Sequence, residues 1–290
     1  MNLSFPRAVL AFALLGQASL SAQEPTTHVY RRVQDRELPL FVFSPKSPAA
    51  SHGAILLFHG GGWNEGEAAW TFGSAQRFAA LGLVAIPVEY RLSDLKTTTP
   101  LDAMGDARAA VRWVRKHAAQ LGIHPKRIAA YGASAGGHLA ACAALFEDEG
   151  PKDSVSAAPD ALVLFSPAVA LAADRWFQKV LLKRACPLDF SPVDNLRPGL
   201  PPTLILQGAE DTVTGLRGAQ AFQALMTRLG NHCELEVYPG MGHLMTPAGQ
   251  DDSGMPNPDP KAMEKVRARM DRFLREQGYL DPEPKGAPGK

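Results

Sequence analysis

Short, almost unbroken apolar runs alternate along the chain with segments whose apolar residues recur every three or four positions. The runs at 54–58, 83–88, 128–132, 161–165, 203–207 and 234–238 predict strands, most of them covered on both faces. Two earlier runs, 28–33 and 38–43, are joined by charged residues and predict an antiparallel hairpin exposed on one face. Between the later runs, the spacing predicts helices over about 70–81, 101–120, 136–147, 215–229 and 260–277. In the second of these, Val111, Val114, Ala118 and Leu121 share one side and Arg112, Arg115 and Lys116 the other. Strands that alternate with helices imply crossover connections, so the fold class is α/β, with a mostly parallel eight-stranded sheet flanked by helices. The stretch 168–202 interrupts this alternation with Trp176, Phe177, Leu181, Leu182 and Phe190 before a proline-rich end. It reads either as a small insertion over the carboxyl ends of the strands or as an ordinary crossover helix.

Composition adds an apolar core and removes several function classes. Of the 290 residues 46% are hydrophobic and 20% charged, which excludes disorder over the whole chain. Thirty basic against 29 acidic residues leave no electrostatic footprint for nucleic acid. Residues 1–22 carry Arg7, an apolar run over 8–15 and then small residues, which is the pattern of a secretory signal. That run is too short to span a membrane, so stable membrane insertion is not expected. The expected organisation is a signal peptide over 1–22, one domain over 23–280 and a disordered tail over 281–290, with a polar loop at 246–260. Export permits disulfides, but Cys142, Cys186 and Cys233 are odd in number. Cys142 lies in an alanine-rich helix as a small apolar group, and a Cys186–Cys233 bridge is left open. No metal-ligand spacing is present, and no metal or cofactor is expected.

The candidate chemistry begins at Gly132-Ala133-Ser134-Ala135-Gly136, between a predicted strand and a predicted helix. A G-x-S-x-G sequence in that context makes a sharp turn that exposes the central hydroxyl and puts the next amide at a helix N-terminus. Ser134 is therefore the candidate nucleophile. His138, four residues on, is expected to pack or hydrogen-bond beneath the turn. After the strand 54–58 comes His59-Gly60-Gly61-Gly62-Trp63, a glycine loop whose free amides suit a developing oxyanion. Gly61, Gly62 and Ala135 are the expected donors. His59 is expected to tie the loop, and Trp63 reads as pocket wall or core. A serine hydroxyl needs a base, and the base needs an orienting carboxylate. His243 follows a strand in a glycine-rich loop and is preferred to His232, which precedes that strand. Past the strand 203–207, Glu210 and Asp211 both stand as the acid, with strand-end geometry favouring Asp211. Asp106 precedes the serine and is expected to cap or brace the elbow region.

These pieces resemble the α/β-hydrolase superfamily. Within it, they look most like carboxylesterases that include hormone-sensitive-lipase-like enzymes and secreted acetyl or feruloyl esterases of plant polysaccharides. The resemblance rests on HGGGW at 59–63, EYRL at 89–92, DARAAVRWV at 106–114, GASAGGHLA at 132–140, GAEDTV at 208–213 and GMGH at 240–243. It implies Asp211 as the acid and a structural turn at Tyr90-Arg91. Leu244-Met245 depart from the glycine and aromatic that many relatives carry there. What the resemblance implies is an exported, periplasmic or secreted serine carboxylesterase that cleaves short acyl esters, with acetyl groups on carbohydrate as one substrate. An amidase or peptidase on the same triad, and a non-catalytic binding protein on a hydrolase fold, are the alternatives.

Overall fold

The computed structural model describes residues 24–46, 51–146, 155–251 and 255–282. The expected signal peptide and all but the first two positions of the expected tail lie outside the described residues. Eight strands form among the described residues. They are β1 (Thr26–Val33), β2 (Arg36–Val42), β3 (His52–Phe58), β4 (Val84–Pro87), β5 (Ile123–Ala133), β6 (Ala161–Phe165), β7 (Thr203–Gly208) and β8 (Cys233–Tyr238).

The eight strands do not make one regular sheet. β3 to β8 form a six-stranded parallel sheet in the order β4-β3-β5-β6-β7-β8, and β1 and β2 pair as a separate antiparallel hairpin. Two isolated antiparallel bridges, Leu40–Val88 and Phe43–Ala85, connect the hairpin to the edge strand β4. Their common register sets Pro39 opposite Glu89 and Pro87 opposite Phe41. Phe43 and Ala85 exchange both backbone hydrogen bonds, whereas Pro39 only accepts, from the amide of Glu89. Proline has no N–H to give, so each of the two prolines removes a rung and the ladder falls to bridges.

The helices divide the core in two. Along β3, Ala54, Leu56 and Phe58 face α2 (Pro100–Lys116), α3 (Ala135–Leu145) and α5 (Leu216–Arg228), while Ile55 and Leu57 face α1 (Phe72–Ala80) and α6 (Pro260–Glu276). A strand turns alternate side chains to opposite faces, which is why one apolar run feeds both cores. Every residue of α3 is buried, so the helix after the elbow is wedged between sheet and neighbours.

The stretch 168–202 forms a short α4 (Arg175–Val180) and two single 3₁₀ turns, Pro187–Phe190 and Pro192–Asn195. Asp174 caps α4 by accepting from the Phe177 amide at 2.6 Å. Phe177 and Val180 are buried, whereas Trp176 stays partly exposed and its indole donates to the Gly62 carbonyl at 2.9 Å. Of its two readings, the segment takes the insertion over the strand ends. Cys142, Cys186 and Cys233 are all free, with Cys186 exposed and Cys233 buried, so no Cys186–Cys233 bridge forms. Asp106 braces a different region from the one expected. Its buried carboxylate binds Arg91 through Nε at 2.8 Å and Nη2 at 2.9 Å, and Arg31 at 2.8 Å, tying β1 and the β4–α2 connection to α2.

Candidate active site

Strand order fixes where the site must be. β3 continues outward to β4, while β5, on the other side of β3, continues toward β6. The loops leaving β3 and β5 therefore diverge and open a crevice at the carboxyl ends of the strands. The glycine loop enters that crevice from β3 and the elbow enters it from β5.

At the elbow Ser134 has φ +53° and ψ −119°, a conformation that costs an L-residue energy and persists only where its surroundings impose it. Its amide donates to the Phe165 carbonyl at 3.0 Å, and its carbonyl accepts from Gly137 at 2.9 Å and Ala168 at 3.1 Å. A Cβ on Gly132 would run into the Gly136 carbonyl, and one on Gly136 into the carbonyls of Phe58 and His59. Those neighbours are backbone and cannot give way, so the two glycines are required by close approach.

The glycine loop lies directly against this turn. A Cβ on Gly60 would stand 3.3 Å from the Ser134 Cβ. Gly61 and Gly62 have φ +104° and +55°. Among the described residues, the amides of Gly61, Gly62 and Ala135 donate to no protein acceptor outside regular elements. Ala135 directly follows Ser134 and opens α3, where the helix end favours negative charge.

Two histidines brace the loop and are locked neutral. His59 stacks on Tyr90 at 4.2 Å, and its Nδ1 donates to the Gly60 carbonyl at 2.6 Å. Burial brings its pKa down to about 4, against the opposing pull of that bond. His138 accepts from the Trp63 indole on Nδ1 at 3.1 Å and donates from Nε2 to the Phe190 carbonyl at 3.0 Å. Burial likewise lowers it to about 4, opposed by the Phe190 bond. Trp63 is core rather than pocket wall, 4% exposed and in ring contact with Phe177 at 5.0 Å.

His243 reaches the elbow from the loop after β8. Its Nε2 lies 3.0 Å from the Ser134 Oγ, and its Nδ1 lies 2.9 Å from the Asp211 Oδ2. Asp211 stands in the turn after β7 and receives the amides of Val213 at 2.9 Å and Thr214 at 2.7 Å on Oδ1. Burial pushes its carboxyl pKa up, but the bond and charge of His243 and the Thr214 donors outweigh burial and hold it below the usual carboxylate range. Glu210 takes another task and accepts from the Gly240 amide at 2.9 Å, fastening the histidine loop. His232 is exposed at the far end of β8, against Glu234. The structure thus joins Ser134, His243 and Asp211 by hydrogen bonds, sets the glycine loop against their elbow through Gly60, leaves Glu210 and His138 in supporting places and puts His232 away from the site.

Residues 40–164 match the BD-FAE family. The apo structure of Thermogutta terrifontis esterase 2 is similar, with a TM-score of 0.79 and 33% identity, over 90% of this chain and 98% of that one. The chain belongs to the α/β-hydrolase carboxylesterases. Other structures of the Thermogutta esterase have propionate or butyrate bound, or are phosphoramylated by tabun. An arylesterase of Saccharolobus solfataricus is 28% identical over 168 residues, 55% of this chain and 51% of that protein. The carboxylesterase NlhH of Mycobacterium tuberculosis is 38% identical over 108 residues, 36% of this chain and 33% of that protein. The chain thus spans about half the length of these curated relatives or less.

Several residues of this esterase site carry no motif. Thr214 touches both members of the acid–base pair, 3.0 Å from the Asp211 Oδ2 and 3.2 Å from the His243 Nδ1. Ser166, with φ +42°, accepts from the Leu244 amide at 3.1 Å. Leu244 and Met245, the departure from the family pattern, take φ +51° and +64°, and Met245 is fully buried. Loop packing rather than pocket lining occupies Met245. Gln207, whose amide donates to the Asp211 Oδ2 at 2.8 Å, is signalled only as a polar residue near the end of an otherwise apolar strand.

Proposed function

We propose that the protein is a serine carboxylesterase that hydrolyses short-chain acyl esters through an acyl-enzyme on Ser134. One observation carries this reading: Ser134, His243 and Asp211 form a continuous hydrogen-bonded line at 3.0 and 2.9 Å, beside backbone amides free to bind an oxyanion. With its Nδ1–H given to Asp211, His243 presents a lone pair on Nε2 to the serine proton. Ser134 Oγ attacks the ester carbonyl as His243 takes that proton. The carbonyl oxygen becomes an anion, met by the N–H groups of Gly61, Gly62 and Ala135. His243 then protonates the leaving alcohol and the C–O bond breaks, leaving the acyl group on Ser134. A water molecule, deprotonated by His243, attacks the acyl carbonyl, and collapse of that second intermediate releases the acid and restores the hydroxyl. This chemistry is complete without a metal or cofactor.

The size of the acyl group follows from what covers the crevice. Trp176 lies on the oxyanion loop, its Nε1 bonded to the Gly62 carbonyl, and α4 offers little further apolar wall. The propionate and butyrate complexes of the Thermogutta esterase support the same size class. Activity should peak at acetyl to butyryl esters, since a longer pocket would add about 0.8 kcal/mol per buried methylene. For the alcohol, the resemblance to polysaccharide esterases favours a carbohydrate, and export rests on residues 1–22. p-Nitrophenyl esters of rising chain length, assayed beside acetylated xylan, test both parts. A maximum at decanoyl or longer would refute the acyl assignment, and release of acetate from xylan would establish the alcohol. Hydrolysis of anilides in preference to esters would favour the amidase reading.

A further inference from the structure

Gln207 is the penultimate residue of β7, a wholly buried amide that follows the apolar positions 204–206. Its Nε2 gives one proton to the Asp211 Oδ2 at 2.8 Å and the other to the Thr214 carbonyl at 2.9 Å. The orientation is forced, because a flipped amide would press its oxygen against a carboxylate and a carbonyl. In the orientation adopted, Oε1 has no hydrogen-bond partner among the described residues. A buried amide that leaves its oxygen unpaired loses stability that methionine, of similar volume, would keep. The compensating feature is the pair of N–H groups, and one of them is aimed at the oxygen that also receives His243.

We propose that Gln207 is a positioning residue that sets how strongly Asp211 supports the charge on His243. The proposal rests on the catalytic reading above. The Oδ2 atom shares its negative charge between Gln207 at 2.8 Å and the His243 Nδ1 at 2.9 Å. Each donor on Oδ2 lowers the charge left for the imidazolium, so Gln207 tempers the support that Asp211 gives the charged ring. The pair is faced by the Ser134 hydroxyl from the elbow, by the Val213 amide and the amide and hydroxyl of Thr214 from the turn, and by Gln207 from β7. The other carboxylate of the turn, Glu210, is turned onto the Gly240 amide. Removing the Gln207 donor shifts charge toward His243, whereas a carboxyl group in its place would protonate beside Asp211 and donate to Oδ2 again.

The test is the pH dependence of p-nitrophenyl acetate hydrolysis by the full chain carrying Gln207→Met or Gln207→Glu, with Ser134→Ala as control. For Gln207→Met, kcat should fall about tenfold with KM within about twofold, and the acid limb of kcat/KM should move up by about half a pH unit. For Gln207→Glu, whose protonated carboxyl restores a donor to Oδ2, the limb should lie closer to the wild-type position than in Gln207→Met. A role confined to packing would lower the melting temperature or the amplitude and leave the limb in place. An acid limb at or below the wild-type position in Gln207→Met would overturn the proposal. Activity surviving in Ser134→Ala would instead overturn the catalytic reading on which it stands.

Discussion

The turn that carries Ser134 is held by backbones in contact, whereas the turn and loop that carry Asp211 and His243 are held by hydrogen bonds. On the first side, Gly132 and Gly136 let β5, α3 and the end of β3 approach more closely than any Cβ allows, and α3 is buried throughout. The histidines there, His59 and His138, are neutral braces. On the second side, Asp211 gathers the two amides of its own turn, the Gln207 amide and the His243 ring, and Glu210 fastens the loop that brings that ring in. The nucleophile is placed by steric exclusion, which fails all at once. The base is placed by polar contacts, which fail by degrees.

The largest expected effect follows from breaking the steric side. Gly136→Ala drives a methyl group into the carbonyls of Phe58 and His59. It should cost about 4 kcal/mol or more, lowering the melting temperature by about 10 °C or preventing accumulation of folded protein. Thermal denaturation of purified protein measures this, and a variant as stable as wild type would show that the elbow can relax. On the polar side, Asp211→Asn should lower kcat by roughly 10⁴, through the wrong imidazole tautomer. Glu210→Gln should lower kcat by only about two- to fivefold, because a neutral amide oxygen still accepts from Gly240. Steady-state kinetics on the two variants rank the acids, and the reverse ranking would transfer the role to Glu210. Trp176→Ala should leave acetyl ester turnover within about tenfold and raise the relative rate on octanoyl esters, by up to about fourfold for each methylene newly buried. Chain-length profiles of wild type and variant check this.

Acid titration sharpens the same contrast. His59 and His138 have pKa values of about 4 in the fold against 6.5 for a free imidazole. Below pH 6.5 the unfolded chain binds protons that the fold refuses, so stability should decline as pH falls from 6.5 toward 4. Asp211 is held below the ordinary carboxylate range, and its contribution is lost only at lower pH, as it protonates in the fold. Melting temperatures across this range should drop first through the elbow side. Flat stability between pH 6.5 and 4 would contradict the neutral assignment of the two braces.

What was legible in the sequence divides along the same line. Steric requirements leave glycines at fixed positions, so GASAG and HGGGW announced the nucleophile and its amides. Apolar runs set between helical segments placed all eight strands, yet the broken ladder at Pro39 and Pro87 emerges only when the two prolines are seen to face hydrogen-bonding positions. Polar positioning leaves a weaker trace. Asp211 and Glu210 are neighbours of the same chemical type, and only the direction of each side chain separates them. Gln207, Thr214 and Ser166 come from two different connections and one strand end, so no local spacing unites them. Asp106 looked available to the elbow by its place before the serine, but two arginines from outside that region claim it.

Covalent capture of the nucleophile tests the central claim most directly. The full chain is treated with paraoxon, digested and read by mass spectrometry, with His243→Ala treated in parallel. The expected result is a single diethyl phosphoryl group on Ser134, with activity lost in proportion to labelling and the reaction slowed by orders of magnitude in His243→Ala. Stoichiometric labelling of another residue, or inactivation that leaves Ser134 unmodified, would contradict the assignment.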